Sequence, residues 1–399
     1  MSSTDLQKRI AAAAQDQLAQ TVTQRRHMHQ HPELSFAEFN TQLYLADQLK
    51  AMNIPYRKAA ETGLVAEVRG EKAGTGLIAL RADIDALPIQ EANEVPYRSQ
   101  NDGVMHACGH DVHASSLLGV AAILQKQKAH FGGTIRLLFQ PGEEKLPGGA
   151  TLMIKDGAID DPRPGAIFGQ HVHPPLPAGT VGFRPGIYMA STDELYLTVR
   201  GRGGHGAMPH NAIDPVVITA QIITAVQQLI SRHTDPTLPA VLTFGKIESE
   251  GGATNVIPNA VKLQGTLRTL DEAWRKELHV RLKQLVEGMA QSLGGSAELS
   301  IAHGYPFLRN DEVLTRWAWE EARKFLGEDR VVELPIRMTG EDFAFYSHHL
   351  PACFYRLGVS NPAKGIGSPV HTDTFNVDES CLETGSGLMA WLAIQRLQK

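Results

Sequence analysis

From Leu6 to Leu49 apolar residues recur at helical spacing in an otherwise polar stretch, with a break at HQHPELSF where Pro32 cannot continue a helix. The pattern predicts two helices. The runs that follow, LVAEVRG and GLIALRADIDALP, are short, apolar and bounded by turn residues, and they predict strands. HASSLLGVAAILQKQKAHF predicts a helix, GTIRLLFQPGEE a buried strand with acidic residues at its carboxyl end, and GAIFGQHVHPP a strand of the same design. Helices alternating with continuously apolar strands predict an α/β domain with a mainly parallel sheet flanked by helices. In such sheets ligands bind beyond the carboxyl ends of the strands, where these runs carry their acids and histidines.

Near Ala190 the pattern changes. STDELYLTVRG, AVLTFGKIESE, NAVKLQGTLRTL and AELSIAHGY alternate polar and apolar residues as half-exposed strands do, and DPVVITAQIITAVQQLISR and DEAWRKELHVRLKQLVEGMAQSL read as amphipathic helices. The order strand, helix, strand, strand, helix, strand is the split βαβ, or ferredoxin-like, unit. The expectation is a domain of residues 190–304 inserted into one formed by residues 1–189 and 305–399. The two linkers, near Ala190 and Gly304, suit a lid that closes by hinge motion.

A chain of 399 residues fits this two-domain reading. Lys and Arg (38) are slightly outnumbered by Asp and Glu (43) and form no basic run, which argues against nucleic acid and leaves a small polar or anionic ligand. Cys108, Cys353 and Cys381 are too few and too scattered for a disulfide framework, so a reducing compartment is expected. The polar N-terminus lacks the apolar core of a secretory signal, and no run suits a membrane span. Together these predict a cytoplasmic protein with no membrane partner.

Four places carry candidate chemistry. In MHACGHDVHAS, Cys108 and His110 are two apart and can face one ion; thiolate and imidazole suit zinc and similar divalent metals. A small buried cysteine beside a helix-capping turn is the alternative reading of the pair, whereas a redox thiol would need a resolving cysteine nearby. Glu143 and Glu144 follow a buried strand, and adjacent carboxylates there call for cations or protons to offset them, one holding metal and one moving protons. A solvated acidic loop is the alternative. His171 and His173 in QHVHP can both face one side, with one needed as a ligand. His371 in PVHTDTF is a lone histidine of the kind that is often structural.

The motifs LRADIDALP, MHACGHDVHAS, FQPGEE, GQHVHP, GRGGHGAMPH, TNVIPN, MTGEDFAFY and HTDTF, in this order over nearly the whole chain, resemble the metal-dependent aminoacylase and carboxypeptidase family. The branch they resemble most contains hippurate hydrolase and bacterial N-acyl-amino-acid amidohydrolases. The resemblance implies two divalent metal ions, zinc, manganese, cobalt or nickel, with Cys108 bridging, His110 and Glu144 on one ion, and His171 and His371 on the other. It implies Glu143 as general base and Asp85 as the carboxylate that orients a ligand. It leaves Asp83, which stands where many relatives have a ligating histidine, without a secure role.

His205, by the same resemblance, stabilises the oxyanion, in an active site of a dimer partner, and Asn255 and Arg268 contact the substrate's carboxylate. The implied reaction is hydrolysis of an N-acyl amino acid to a carboxylic acid and an amino acid by a homodimer or higher homo-oligomer assembled through the inserted domain. A metallo-dipeptidase or carboxypeptidase is the neighbouring alternative and would need an acid for the substrate amine, for which Glu341 or Asp342 are the candidates. A non-catalytic metal-binding protein is the alternative of another class. His27, His29 and His31 in RRHMHQHPE look like a metal tract, but their helical setting and the lack of an acidic partner at suitable spacing argue for a structural part.

Overall fold

The computed structural model describes residues 3–398. The chain divides into two compact units. The first comprises the residues up to Gly186, Arg309–Pro335 and the residues from Asp342 onward; the second comprises Ile187–Leu308 and Ile336–Glu341.

The first unit is built on an eight-stranded sheet in the order Tyr56–Ala59, Gly63–Arg69, Gly132–Gln140, Lys72–Asp83, Ala166–Pro177, Ala352–Ser360, Val181–Phe183, Val331–Glu333. The four strands from Gly132–Gln140 to Ala352–Ser360 run parallel. Gly63–Arg69 and Val181–Phe183 flank them antiparallel. Ala352–Ser360 is buried along its whole length, as a strand covered on both faces must be. The helices His110–Gln127 and Cys381–Leu397 are buried nearly all round and pack against one another, with the N-terminal helix Ser3–Gln30 across both. Register fixes the site: Asp83 lies opposite Gln140, and Arg81 opposite Gly169. These strands therefore bring Asp83, the Glu143–Glu144 turn and His171 together toward the carboxyl ends of the parallel strands.

The second unit has a four-stranded antiparallel sheet in the order Ala240–Ser249, Ala260–Thr269, Asp193–Arg200, Ser296–His303. Its helices Pro215–Gln228 and Glu272–Ser292 start at Asp214 and Asp271, whose side chains accept from the N–H groups of Val216 and Trp274. Leu195, Leu197, Val199, Ile222, Leu278 and Leu282 form its core. The chain order is the split βαβ order expected from the alternation.

Two features differ from the sequence reading. Ile336–Glu341 groups with the second unit because its backbone bonds there, Arg337 N–H to Tyr188 O and Ala190 N–H to Thr339 O; pairings across about 150 residues leave no local pattern. Tyr56–Ala59 is an additional edge strand, mostly exposed and so without an apolar signature. Among the described residues no helix is long and apolar enough to cross a membrane.

In the second unit Asp193 is buried and accepts from Arg275 at 2.6 and 2.9 Å and from His279 at 2.7 Å. Burial raises its pKa, but Arg275 and His279 outweigh that and hold it below the usual carboxylate range. A depressed folded value means stabilisation that is complete above the unfolded pKa, about 4, and is lost as pH falls through it toward the folded value. Asp193→Asn is expected to destabilise this unit by about 2–3 kcal/mol at neutral pH, with a smaller difference from the unsubstituted protein below about pH 4. Denaturant melts at pH 7 and pH 3 check this, and equal differences at both would contradict it.

Candidate active site

The Cys108 turn is shaped by Gly109, whose φ of 80° and whose contact with Val172, 2.7 Å from where a Cβ would stand, exclude a side chain. His110 then opens the helix His110–Gln127. On the neighbouring strand's exit, Gly142 has φ of 60° and the Phe36 ring occupies the place of its Cβ. Glu38 accepts from the Gly142 N–H at 2.8 Å and from Thr62 Oγ1 at 2.6 Å, so the turn presenting Glu143 and Glu144 is fastened from outside the strand.

Cys108, His110, Glu143, Glu144, His171 and His371 converge. Cys108 Sγ lies 3.3 Å from Nε2 of both His171 and His371. His371 Nε2 is 3.2 Å and His110 Nε2 3.9 Å from Glu144 Oε1. Three overlapping groups, Cys108 with His110 and His171, Cys108 with Glu144 and His371, and His110 with Glu143 and Glu144, have ligand atoms within 4.8 Å of one another. His371 is exposed, with φ of 64°, and its N–H donates to Ala107 O at 2.8 Å; this left-handed residue is held where its ring meets Cys108.

The hydrogen bonds at the outer ring nitrogens aim the inner ones at the cluster. His110 Nδ1 donates to Asp85 O and Oδ1 at 2.9 and 3.1 Å, and His171 Nδ1 donates to Val172 O at 2.8 Å, so both Nε2 lone pairs point inward. His110 Nε2 and Glu144 Oε1 are buried and have no hydrogen-bond partner. Burial, with Arg356 next, holds the His171 pKa well below the ordinary value and keeps the ring neutral. Burial and then Glu144 push the Cys108 thiol well up, so a thiolate here requires a cation. Orphaned inward lone pairs, a thiol and a carboxylate form a donor set that fits divalent metal ions.

Asp85 takes no free part. Its Oδ1 accepts from His110, and its Oδ2 accepts from Ser35 Oγ at 2.6 Å and the Glu144 N–H at 3.0 Å. Burial raises its pKa and the hydrogen bond from His110 more than offsets this, leaving it ionised. Glu143 is 7% exposed, with Oε1 3.4 Å from the Asp342 N–H. His173 is half-buried and belongs to none of the ligand groups.

The remaining candidates lie in the second unit. His205 is exposed in a two-residue strand paired with Val256, beside Asn255, whose carbonyl accepts from Gly206 N–H. Arg268 is half-buried, and its Nη1 is shielded from solvent with no hydrogen-bond partner. Glu341 is buried. Asp342, in the first unit, is unavailable to a substrate amine: Arg81, Gln140 and the Ala150 N–H saturate its carboxylate. In the histidine tract His29 meets acids that the local sequence does not show, Asp111 at 2.8 Å and Glu91 at 3.1 Å, brought by folding from 82 and 62 residues away. His27 stacks on Tyr44 instead.

Sequence reasoning missed His113. It lies in the same motif as Cys108, but its partners, Asp83 and the Val172 N–H, are contributed by two separate strands.

Residues 79–395 match the family described as Peptidase family M20/M25/M40. The N-acetyl-L-cysteine deacetylase of Bacillus subtilis is 40% identical over 360 residues, covering 90% of this chain and 83% of that protein. The N-acyl-L-amino acid amidohydrolase of Geobacillus stearothermophilus is 41% identical over 290 residues, 72% of this chain and 77% of the other. The crystal structure of a Bacillus subtilis dinuclear metal binding peptidase from the M20 family covers 96% of this chain and 99% of its own, with a TM-score of 0.82 at 34% identity. By these matches the chain belongs to peptidase family M20/M25/M40 and is a hydrolase.

Proposed function

We propose that this protein is a divalent-metal-dependent amidohydrolase that cleaves N-acyl amino acids to a carboxylic acid and a free amino acid. The observation that carries the reading is the cluster of Cys108, His110, Glu144, His171 and His371, with inward lone pairs, beside a separate buried carboxylate, Glu143. The five residues would hold two ions, with Cys108, equidistant from His171 and His371, shared between them. Bound ions supply an acidified water and polarise the scissile carbonyl.

The protein's own groups do the rest. Glu143 takes the proton of the attacking water and passes it to the departing nitrogen. Asp85 keeps the His110 ring oriented and anchors the Glu144 backbone. Arg268, with a guanidinium nitrogen to spare, suits a carboxylate, as Asn255 suits a hydrogen bond beside it in the substrate; His205 is free to donate to an oxyanion. The relatives named for N-acetyl-L-cysteine and N-acyl-L-amino acids support this substrate class. Assembly as a homodimer through the second unit belongs to the same proposal.

Amino-group release from N-acetyl, N-benzoyl and longer N-acyl amino acids, with dipeptides alongside, tests it. Release from the acyl amino acids is expected to vanish after chelation and to return with zinc, manganese, cobalt or nickel. Turnover that survives complete metal removal would sink the metal reading, and release from dipeptides alone would replace the substrate class.

A further inference from the structure

Asp83 and His113 are both fully buried within reach of His110, and with it they form a group whose ligand atoms lie within 4.8 Å of one another. Their hydrogen bonds exclude a third metal position. His113 Nε2 accepts from the Val172 N–H at 2.9 Å, so the ring proton is on Nδ1, which donates to Asp83 Oδ1 in a short bond. Neither ring nitrogen has a lone pair left. Asp83 Oδ2 accepts from Arg81 Nη1 at 2.6 Å, which places a fixed positive charge beside the carboxylate.

We propose that Asp83 and His113 are positioning residues: Asp83 locks His113 in one tautomer, His113 clamps the N–H of Val172, whose carbonyl aims His171, and Arg81 ties this clamp to the turn carrying Glu143. The inference rests on the metallohydrolase reading above. Val172 is held on both sides, its N–H by His113 and its C=O by His171 Nδ1 at 2.8 Å, so the ring that faces Cys108 is oriented by the carbonyl of a residue whose N–H His113 fixes. In the other direction Arg81 Nη2 donates to Asp342 Oδ1 at 2.6 Å, and its Nε donates to Gln140 Oε1 at 2.9 Å. Gln140 ends the strand that leads into the Glu143–Glu144 turn, and the Asp342 N–H meets Glu143 Oε1 at 3.4 Å. One buried carboxylate thus joins two arms of the site.

The tautomer makes the proposal testable. Asn at position 83 offers one acceptor oxygen where Arg81 and His113 both donate. If that oxygen serves Arg81, the amide NH2 faces His113 Nδ1, which must then accept, moving the ring proton to Nε2 against the Val172 N–H. Asp83→Asn is expected to weaken Co(II) binding by about 10–100-fold and to alter the Co(II) visible spectrum, with kcat lowered and KM little changed. Thermal melts of the metal-free variant control for folding. Co(II) affinity, spectrum and kcat all within twofold of the unsubstituted enzyme would overturn the inference.

A second measurement needs no substitution. Nitrogen-15 NMR of the metal-loaded, histidine-labelled protein is expected to show His113 as the neutral Nδ1–H form; an Nε2–H or doubly protonated ring would overturn the inference even if Asp83→Asn failed to fold. Failure of the underlying reading would look different: the unsubstituted protein would show no chelator-sensitive turnover at all.

Discussion

Glu143→Gln is expected to lower kcat by about 10²–10⁴-fold while leaving metal binding and fold intact. The amide has the shape of the carboxylate and retains an oxygen to accept from the Asp342 N–H, so the buried site loses a proton acceptor and little else. The five proposed ligands are untouched, because Glu144 projects from its own backbone position anchored by Asp85. Metal content and Co(II) spectra measured beside single-turnover kinetics separate the two effects. A variant that keeps full turnover would remove Glu143 from the chemistry, and one that loses its metal would make it a ligand.

The largest expected stability effect lies beneath the site. Arg25 is fully buried; its Nε donates to Asp111 at 2.7 Å, and its guanidinium lies near His29, Glu379 and the Tyr97 ring. Burial opposes its charge, but Asp111, Tyr97 and Glu379 more than offset this, so Arg25 stays charged in the interior. Removing Arg25 leaves the buried Asp111 with His29, 2.8 Å away, as its remaining charge partner and takes the guanidinium from beside Glu379, at about 3 kcal/mol. Arg25→Met is therefore expected to destabilise the protein by about that amount, read by chemical denaturation. Adding Asp111→Asn should recover part of the loss, because it removes the stranded charge. A double variant no more stable than the single one would show that Asp111 is not the stranded partner. Asp111 follows His110 in the first turn of its helix, so weaker metal binding in Arg25→Met is expected as well.

The legible parts of this protein are those set by neighbours in sequence. Strand Gly132–Gln140 is apolar and followed by PGEE, so both the buried strand and the carboxylates at its exit can be read directly. The alternation in Asp193–Arg200 likewise announces a sheet with one covered face. The motif MHACGHDVHAS announces chemistry without dividing the labour among its histidines. His110 faces the candidate metal cluster, His113 is spent on Asp83 and Val172, and His106 is buried with neither ring nitrogen bonded. All three are histidines in one short stretch, and only their partners tell them apart.

By itself, then, the sequence determined the alternation of elements, the family and the residue types able to hold metal and move protons, because periodicity and local motifs are written in adjacent residues. Tertiary structure alone decided which of those residues meet. It gave Asp83 to His113, gave His29 to Asp111 and Glu91, turned His371 toward Cys108, and placed Ile336–Glu341 in the second unit. Each of these pairings joins segments whose sequences carry no mark of one another, since a buried polar group requires a partner but does not specify from which part of the chain it comes.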